Sequence, residues 1–178
     1  MRSLFALVAI LALPVSAQAQ PTEVPEKDEL VIEGIGLSRD IPCEGQNIGI
    51  YGAENEITLT GDCGTVIVHG SSHEVTLDQA RELVVSGADH TIFADAVATL
   101  SVDTTGHVIT AAMAAGAPAT PAQVRVNGAE QTLNLTLTAE THIAVEGTDQ
   151  VINWSLAEGA PEPRVEIGGI DNAVNRVP

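Results

Sequence analysis

The chain has almost no aromatic side chains: Phe5, Tyr51, Phe93 and Trp154 are all that its 178 residues contain. That scarcity argues against a sugar site built on stacked rings. Basic residues are nearly as rare, with seven Lys and Arg against 24 Asp and Glu and a formal charge of −17. Nucleic acids and anionic membrane surfaces are met by basic patches, so neither is an expected partner. Only two cysteines occur, too far apart for a Cys-x-x-Cys redox or zinc motif. No P-loop, dinucleotide fingerprint, Gly-x-Ser-x-Gly elbow or zinc-protease motif is present. An EF-hand loop and a Gly-Gly-x-Gly-x-Asp calcium repeat are missing too. No catalytic residue and no cofactor is assigned on these grounds. A hydrolase working on carboxylate pairs would need a cleft that nothing in the sequence suggests.

What is present begins with Met1-Arg2-Ser3 and an apolar run from Leu4 to Val15, followed by Ala17-Gln18-Ala19. A positive start, a short apolar core and a small-residue cleavage site make a secretory signal peptide over residues 1–19. The run is short of the roughly 20 residues that a membrane span takes. No later stretch is long and apolar enough to span, so membrane insertion after signal cleavage is not expected. The product is read as periplasmic or extracellular. Residues 20–29, rich in Pro and acids, read as a flexible leader.

From residue 30 to 178 the chain repeats the unit apolar-x-apolar-x-Gly-x-x-polar-x-apolar-x-apolar. The polar place is held by Asn55, His73, His90, His107, Gln131, Gln150 and Asn172, at intervals of 18, 17, 17, 24, 19 and 22 residues. Thr104 stands where the other copies have glycine, and Leu30, Ile32 and Gly34 form a weaker first copy. A recurring period near 18 is the mark of a stacked array. Within a unit the alternation has period two, which gives two strands, each with one face buried. Glycine supplies the unusual backbone angle at the corner between them, and the polar side chain bonds backbone groups freed by the turn. The expected fold is all-β, a single-domain β-solenoid of seven to eight coils. An antiparallel meander or sandwich uses the same residues if each corner is a hairpin turn. That alternative needs equally good turns at the other junctions, and Asp78-Gln79-Ala80-Arg81 and Asp95-Ala96-Val97-Ala98 have no Gly, Pro or Asn. Those junctions read better as the third side of a coil. Residues 111–122 (AAMAAGAPATPA) break the period and are read as an insertion loop.

The segments Cys43-Glu44-Gly45, Ile48-x-Ile50-x-Gly52, Ile57-x-Leu59-x-Gly61-x-Cys63 and Val66-x-Val68-x-Gly70 resemble the domain-of-unknown-function 3060 family. So do Ile152-x-Trp154, Pro163-x-Val165 and Gly169-x-x-Asn172 at the other end. The resemblance runs from about Ile41 to Val174, and it implies an exported bacterial β-rich repeat domain with no assigned activity. The family pattern has Asn where this chain has His73, His90, Gln131 and Gln150, so a pure asparagine ladder is not expected.

Cys43 and Cys63 precede consecutive coils, and an oxidising compartment makes a disulfide between them the expectation. His73, His90 and His107 occupy one corner position in three successive coils. The column continues as Asn55 on one side and Gln131 on the other, so the leading reading is a neutral hydrogen-bonded ladder. The competing one is a metal site shared by two stacked imidazoles, with Glu74 or Asp89 near by. His69 and His142 fall outside the column. Asp78 and Asp95 share a position without forming a calcium motif. The column Thr58, Thr76, Phe93, Thr110, Asn134, Asn153 is too irregular for an ice-binding threonine array. The function expected is that of a non-enzymatic structural or interaction module for a protein or envelope component. A periplasmic metal-binding protein is the alternative. Open end coils carry unpaired strand edges, which leaves self-association as a further expectation.

Overall fold

Short runs of Val, Ile and Leu alternating with small polar residues suit a half-buried pleated strand. The computed structural model describes residues 29–117 and 120–178, and every such run in them is a strand. The strands are β1 (Glu29–Ile35), β2 (Ser38–Glu44), β3 (Asn47–Ala53), β4 (Glu56–Ser71), β5 (Glu74–Ala88), β6 (Thr91–Val102) and β7 (Val108–Met113). There follow β8 (Ala122–Val126), β9 (Thr132–Leu137), β10 (Thr141–Val145), β11 (Val151–Leu156), β12 (Arg164–Ile167) and β13 (Ala173–Arg176). All ladders between these strands are parallel. A parallel register cannot come from hairpins, so the fold is the solenoid, of eight coils, and not the meander. β4, β5 and β6 run unbroken round the third side, with register shifts at Leu59/Asp62 and Ala94/Val97 marking the bends.

Two sheets face each other across the core, and each contributes two inward columns. On the first sheet, Leu30, Ile48, Val66, Leu83, Leu100, Val124, Ile143 and Val165 form one column, and Ile32 to Ile167 form its neighbour. On the second sheet one column is Arg39, Ile57, Val75, Ile92, Ile109, Leu133, Ile152 and Val174. The other is Ile41, Leu59, Leu77, Ala94, Ala111, Leu135, Trp154 and Arg176. Cys63, Ala80, Val97, Met113 and Leu137 close the third side. The interior side chains are almost fully shielded, which gives each coil its stability through its neighbours rather than alone.

Two boundaries differ from the sequence reading. Glu29 is the first residue of β1 rather than the last of a leader. Ala111–Met113 continue β7 because Ala111 and Met113 fill inward places, and Ala122 opens β8 for the same reason. The connection breaking the period is therefore 114–121, not 111–122. The signal peptide expected over 1–19 and the rest of the expected leader lie outside the described residues. Among the described residues no helix is long and apolar enough to cross a membrane.

Cys43 and Cys63 are joined, with Cα atoms 4.9 Å apart, and the bond ties coil one to coil two on the third side. Such a bond is compatible with an extracellular or periplasmic protein. It closes a span of 20 residues, a loop for which chain entropy gives about 3 kcal/mol. Replacing both cysteines by Ser is expected to remove about that much from the N-terminal end. Contacts in a solenoid are nearest-neighbour, so amide exchange should quicken in β1 and β2 while β9 to β13 keep their protection.

Candidate functional site

At each corner a residue of left-handed backbone precedes the ladder position: Glu54, Ser72, Asp89, Gly106, Glu130, Asp149 and Asp171 all have φ between +54° and +76°. That twist turns the next side chain inward, and Asn55, His73, His90, His107, Gln131 and Gln150 are all buried. Their backbone amides then need partners, and the next coil supplies them. Leu37 N donates to Asn55 Oδ1 at 2.9 Å, Asn55 N to His73 Nδ1 at 3.2 Å, and His73 N to His90 Nδ1 at 3.1 Å. His90 N donates to His107 Nδ1 at 3.3 Å. Further along, Gln131 N donates to Gln150 Oε1 at 3.2 Å and Gln150 N to Asn172 Oδ1 at 2.9 Å.

Except in Gln150, the other end of the side chain faces a carbonyl four residues back. Asn55 Nδ2 donates to Tyr51 O at 3.1 Å, and Asn172 Nδ2 donates to Gly168 O. His73 Nε2 faces His69 O at 3.2 Å, His90 Nε2 faces Ser86 O at 2.9 Å, and His107 Nε2 faces Asp103 O at 3.0 Å. This arrangement fixes the chemistry of the imidazoles. Nδ1 receives an N–H and must carry a lone pair, while Nε2 faces a carbonyl and must carry the proton. Each ring is thus the neutral Nε2–H tautomer. The rings stack with centroids 4.9 Å apart and planes within 5°. Burial holds all three below the usual histidine range, His90 lowest at about 4. The carbonyls facing Nε2 pull the other way without overcoming burial.

A metal ion bound to this column would have to displace one of these backbone partners from each ring it used. Glu74 and Asp89 point to solvent, and no group of three or more His, Cys, Asp or Glu among the described residues is placed to hold a metal. The ladder falters where glutamine replaces the shorter side chains. Gln131 Nε2 reaches Thr104 O and Asn127 O, but Gln131 Oε1 and Gln150 Nε2 are buried without a partner.

The remaining sequence candidates are outward. His69 stands on the first sheet and shares 2.9 Å with Ser86 Oγ; His142 lies 3.9 Å from Glu140. Asp78 takes the N–H of Gly61 at 2.9 Å, which satisfies the bend of β4.

A feature that the sequence reading missed lies on the outer face of the second sheet. In register there are Thr91 and Phe93, Val108 and Thr110, Thr132 and Asn134, Val151 and Asn153, then Ala173 and Asn175. None of these is charged, across five consecutive coils of a chain with net charge −17. Phe93 (47% exposed), Val108 (44%) and Val151 (36%) stand out from this face, and Asn153 Nδ2 donates to Asn134 Oδ1 at 3.1 Å. The exposed acids Glu130, Asp149 and Asp171 line one long edge, since the corner they belong to leads directly into β9, β11 and β13. The signal was a column of Thr and Asn that looked irregular when judged for threonine alone.

No curated protein and no solved structure matches the chain. Residues 50–107, the coils that carry Asn55, His73, His90 and His107, match the model of a family described as a protein of unknown function, DUF3060, in agreement with the resemblance read from the sequence.

Proposed function

We propose that this chain is a non-enzymatic, exported interaction module, and that it holds a protein partner on the uncharged outer face of its second sheet. The observation that carries the reading is the absence of charge from the two outward columns that run from Thr91 and Phe93 to Ala173 and Asn175. Phe93, Val108 and Val151 are exposed there, with Asp95 exposed at the bend of β6 beside them. An apolar or neutral centre with a charged rim is the usual anatomy of a protein interface. Here the rim is acidic, through Glu130, Asp149 and Asp171, so the fitting partner has a neutral centre bordered by Lys or Arg. The rest of the surface repels anionic partners. Export is supported by the signal-like N-terminus and by the Cys43–Cys63 bond.

The test compares three baits against cell-envelope proteins: the natural chain, Thr110→Glu with Asn134→Glu, and Val84→Glu with Ser101→Glu on the outer face of the first sheet. A protein held by the natural chain and by the first-sheet variant, and lost with Thr110→Glu/Asn134→Glu, is the expected result. Equal capture by the second-sheet variant, or no capture above an unrelated acidic protein, overturns the reading.

A further inference from the structure

We infer that Arg39 and Arg176 close the two ends of the solenoid against a second copy of the chain. The four inward columns of the core are filled by aliphatic residues and Trp154 in every internal coil. The only charged occupants are Arg39, in coil one, and Arg176, in coil eight. Arg39 is in register with Ile57 and, among the described residues, lines the N-terminal recess together with Leu30, Ile32, Leu37 and Ile41, with Glu33 of β1 as the one carboxylate there. Arg176 is in register with Trp154, its guanidinium carbon 5.5 Å from the ring centroid, with Nη1 2.6 Å from Glu162 Oε1. A guanidinium therefore sits in a core column at each end.

Both ends otherwise invite addition. Among the described residues β1 and β2 are paired on one edge only, as are β12 and β13, and all four are parallel strands of matching direction. Ile35, Ile167 and Ile170 are exposed there. If coil one of one copy docked in register on coil eight of another, the four columns would continue through the junction. Arg39 would then lie on Val174, and Ile41 would lie on Arg176. Two guanidinium groups of like charge would enter one junction among aliphatic side chains. Glu162 meets Arg176 from outside the columns, whereas Arg39 has no ion pair among the described residues and bonds only Ser38 O. Burying unpaired charge is heavily penalised, whereas an open parallel edge with an aliphatic end would grow head to tail without limit. An inward-pointing charge on an edge strand prevents this while leaving the internal coils untouched.

The inference is independent of the docking face proposed above, and its test reads mass alone. Arg39→Ile and Arg176→Leu are made separately, together, and as an Arg39→Lys/Arg176→Lys control, and light scattering is recorded over a concentration series. The natural chain and the lysine control are expected to keep the mass of one chain. The Arg39→Ile/Arg176→Leu chain is expected to grow head to tail, with an end-to-end association constant higher by roughly 100-fold or more. Should the double variant fail to fold, the two single variants are mixed. The N-terminal end of the Arg39→Ile chain and the C-terminal end of the Arg176→Leu chain then make one charge-free junction, and the mixture is expected to stop at two chains. A natural chain that already associates through its ends, or charge-free ends that stay at the mass of one chain, overturns the inference.

Discussion

Acidifying the folded protein from pH 7 to pH 4 is expected to cost it about 3 kcal/mol through His90 alone, with His73 and His107 adding in the same direction. In the unfolded chain a histidine takes up its proton near pH 6.5, whereas in the folded protein His90 does so only near 4. Between those values the unfolded state binds more protons, so stability rises with pH. It is fully present above about pH 6.5 and falls as the pH drops towards 4. The structural cause is direct. A proton added at Nδ1 would point at the backbone N–H of the residue one coil earlier, so protonation breaks the ladder bond as well as burying a charge. Urea unfolding at pH 7, 5.5 and 4 checks this against the chain with Asn at 73, 90 and 107. An asparagine accepts with Oδ1 and donates with Nδ2, as Asn55 and Asn172 already do. The variant should fold at pH 7 and show a much flatter dependence. An equal loss in both proteins would mean that the carboxylates, and not the imidazoles, govern acid stability.

The second large effect is expected at the glycine column. Gly52, Gly70, Gly87, Gly128, Gly147 and Gly169 have φ from +86° to +131°, and a Cβ on any of them would run into the carbonyl oxygen of the residue one coil earlier. That oxygen belongs to backbone held in the ladder and cannot swing aside as a flexible side chain could. Gly70→Ala combines that clash with a left-handed angle and should lose about 4 kcal/mol or more. Gly36→Ala is the control: its φ is +64°, but no atom lies within 4 Å of the added Cβ, so about 1 kcal/mol is expected. Thermal unfolding of the two variants separates steric contact from backbone preference. Thr104 shows how the chain accommodates the exception. The ladder between coils four and five breaks after Val85 and Val102 and returns as one bridge at Ala88 and Thr105, and in the gap Thr104 Oγ1 takes the N–H of Gly87 at 2.8 Å.

The corner residues were the most legible part of the fold, because the repeat fixes both the glycine and the polar place three residues later. The solenoid itself followed from the junctions at 78–81 and 95–98, which lack turn residues and run on as strand. The edges of the 111–122 segment were not legible, since a run of alanines carries no period and only packing shows that Ala111, Met113 and Ala122 point inward. The tautomer of the histidines could not be read either. It depends on which backbone group faces each nitrogen, and that follows from the register between coils. The uncharged face is likewise a property of register: intervals of 24 and 22 residues hide which Thr, Val and Asn stand side by side. Arg39 and Arg176 escaped notice because each breaks the apolar pattern in a terminal coil, where a break looks like the end of the repeat.

The central claim is that His73, His90 and His107 form a neutral structural ladder whose ring nitrogens are already committed to the backbone. Long-range proton–nitrogen correlation spectra of the imidazoles at pH 7, without and with equimolar zinc, test it most directly. The account predicts three Nε2–H tautomers whose nitrogen shifts do not move when zinc is added. Nδ1–H tautomers, or ring nitrogens that shift together on titration with the metal, would contradict it and make the column a metal site.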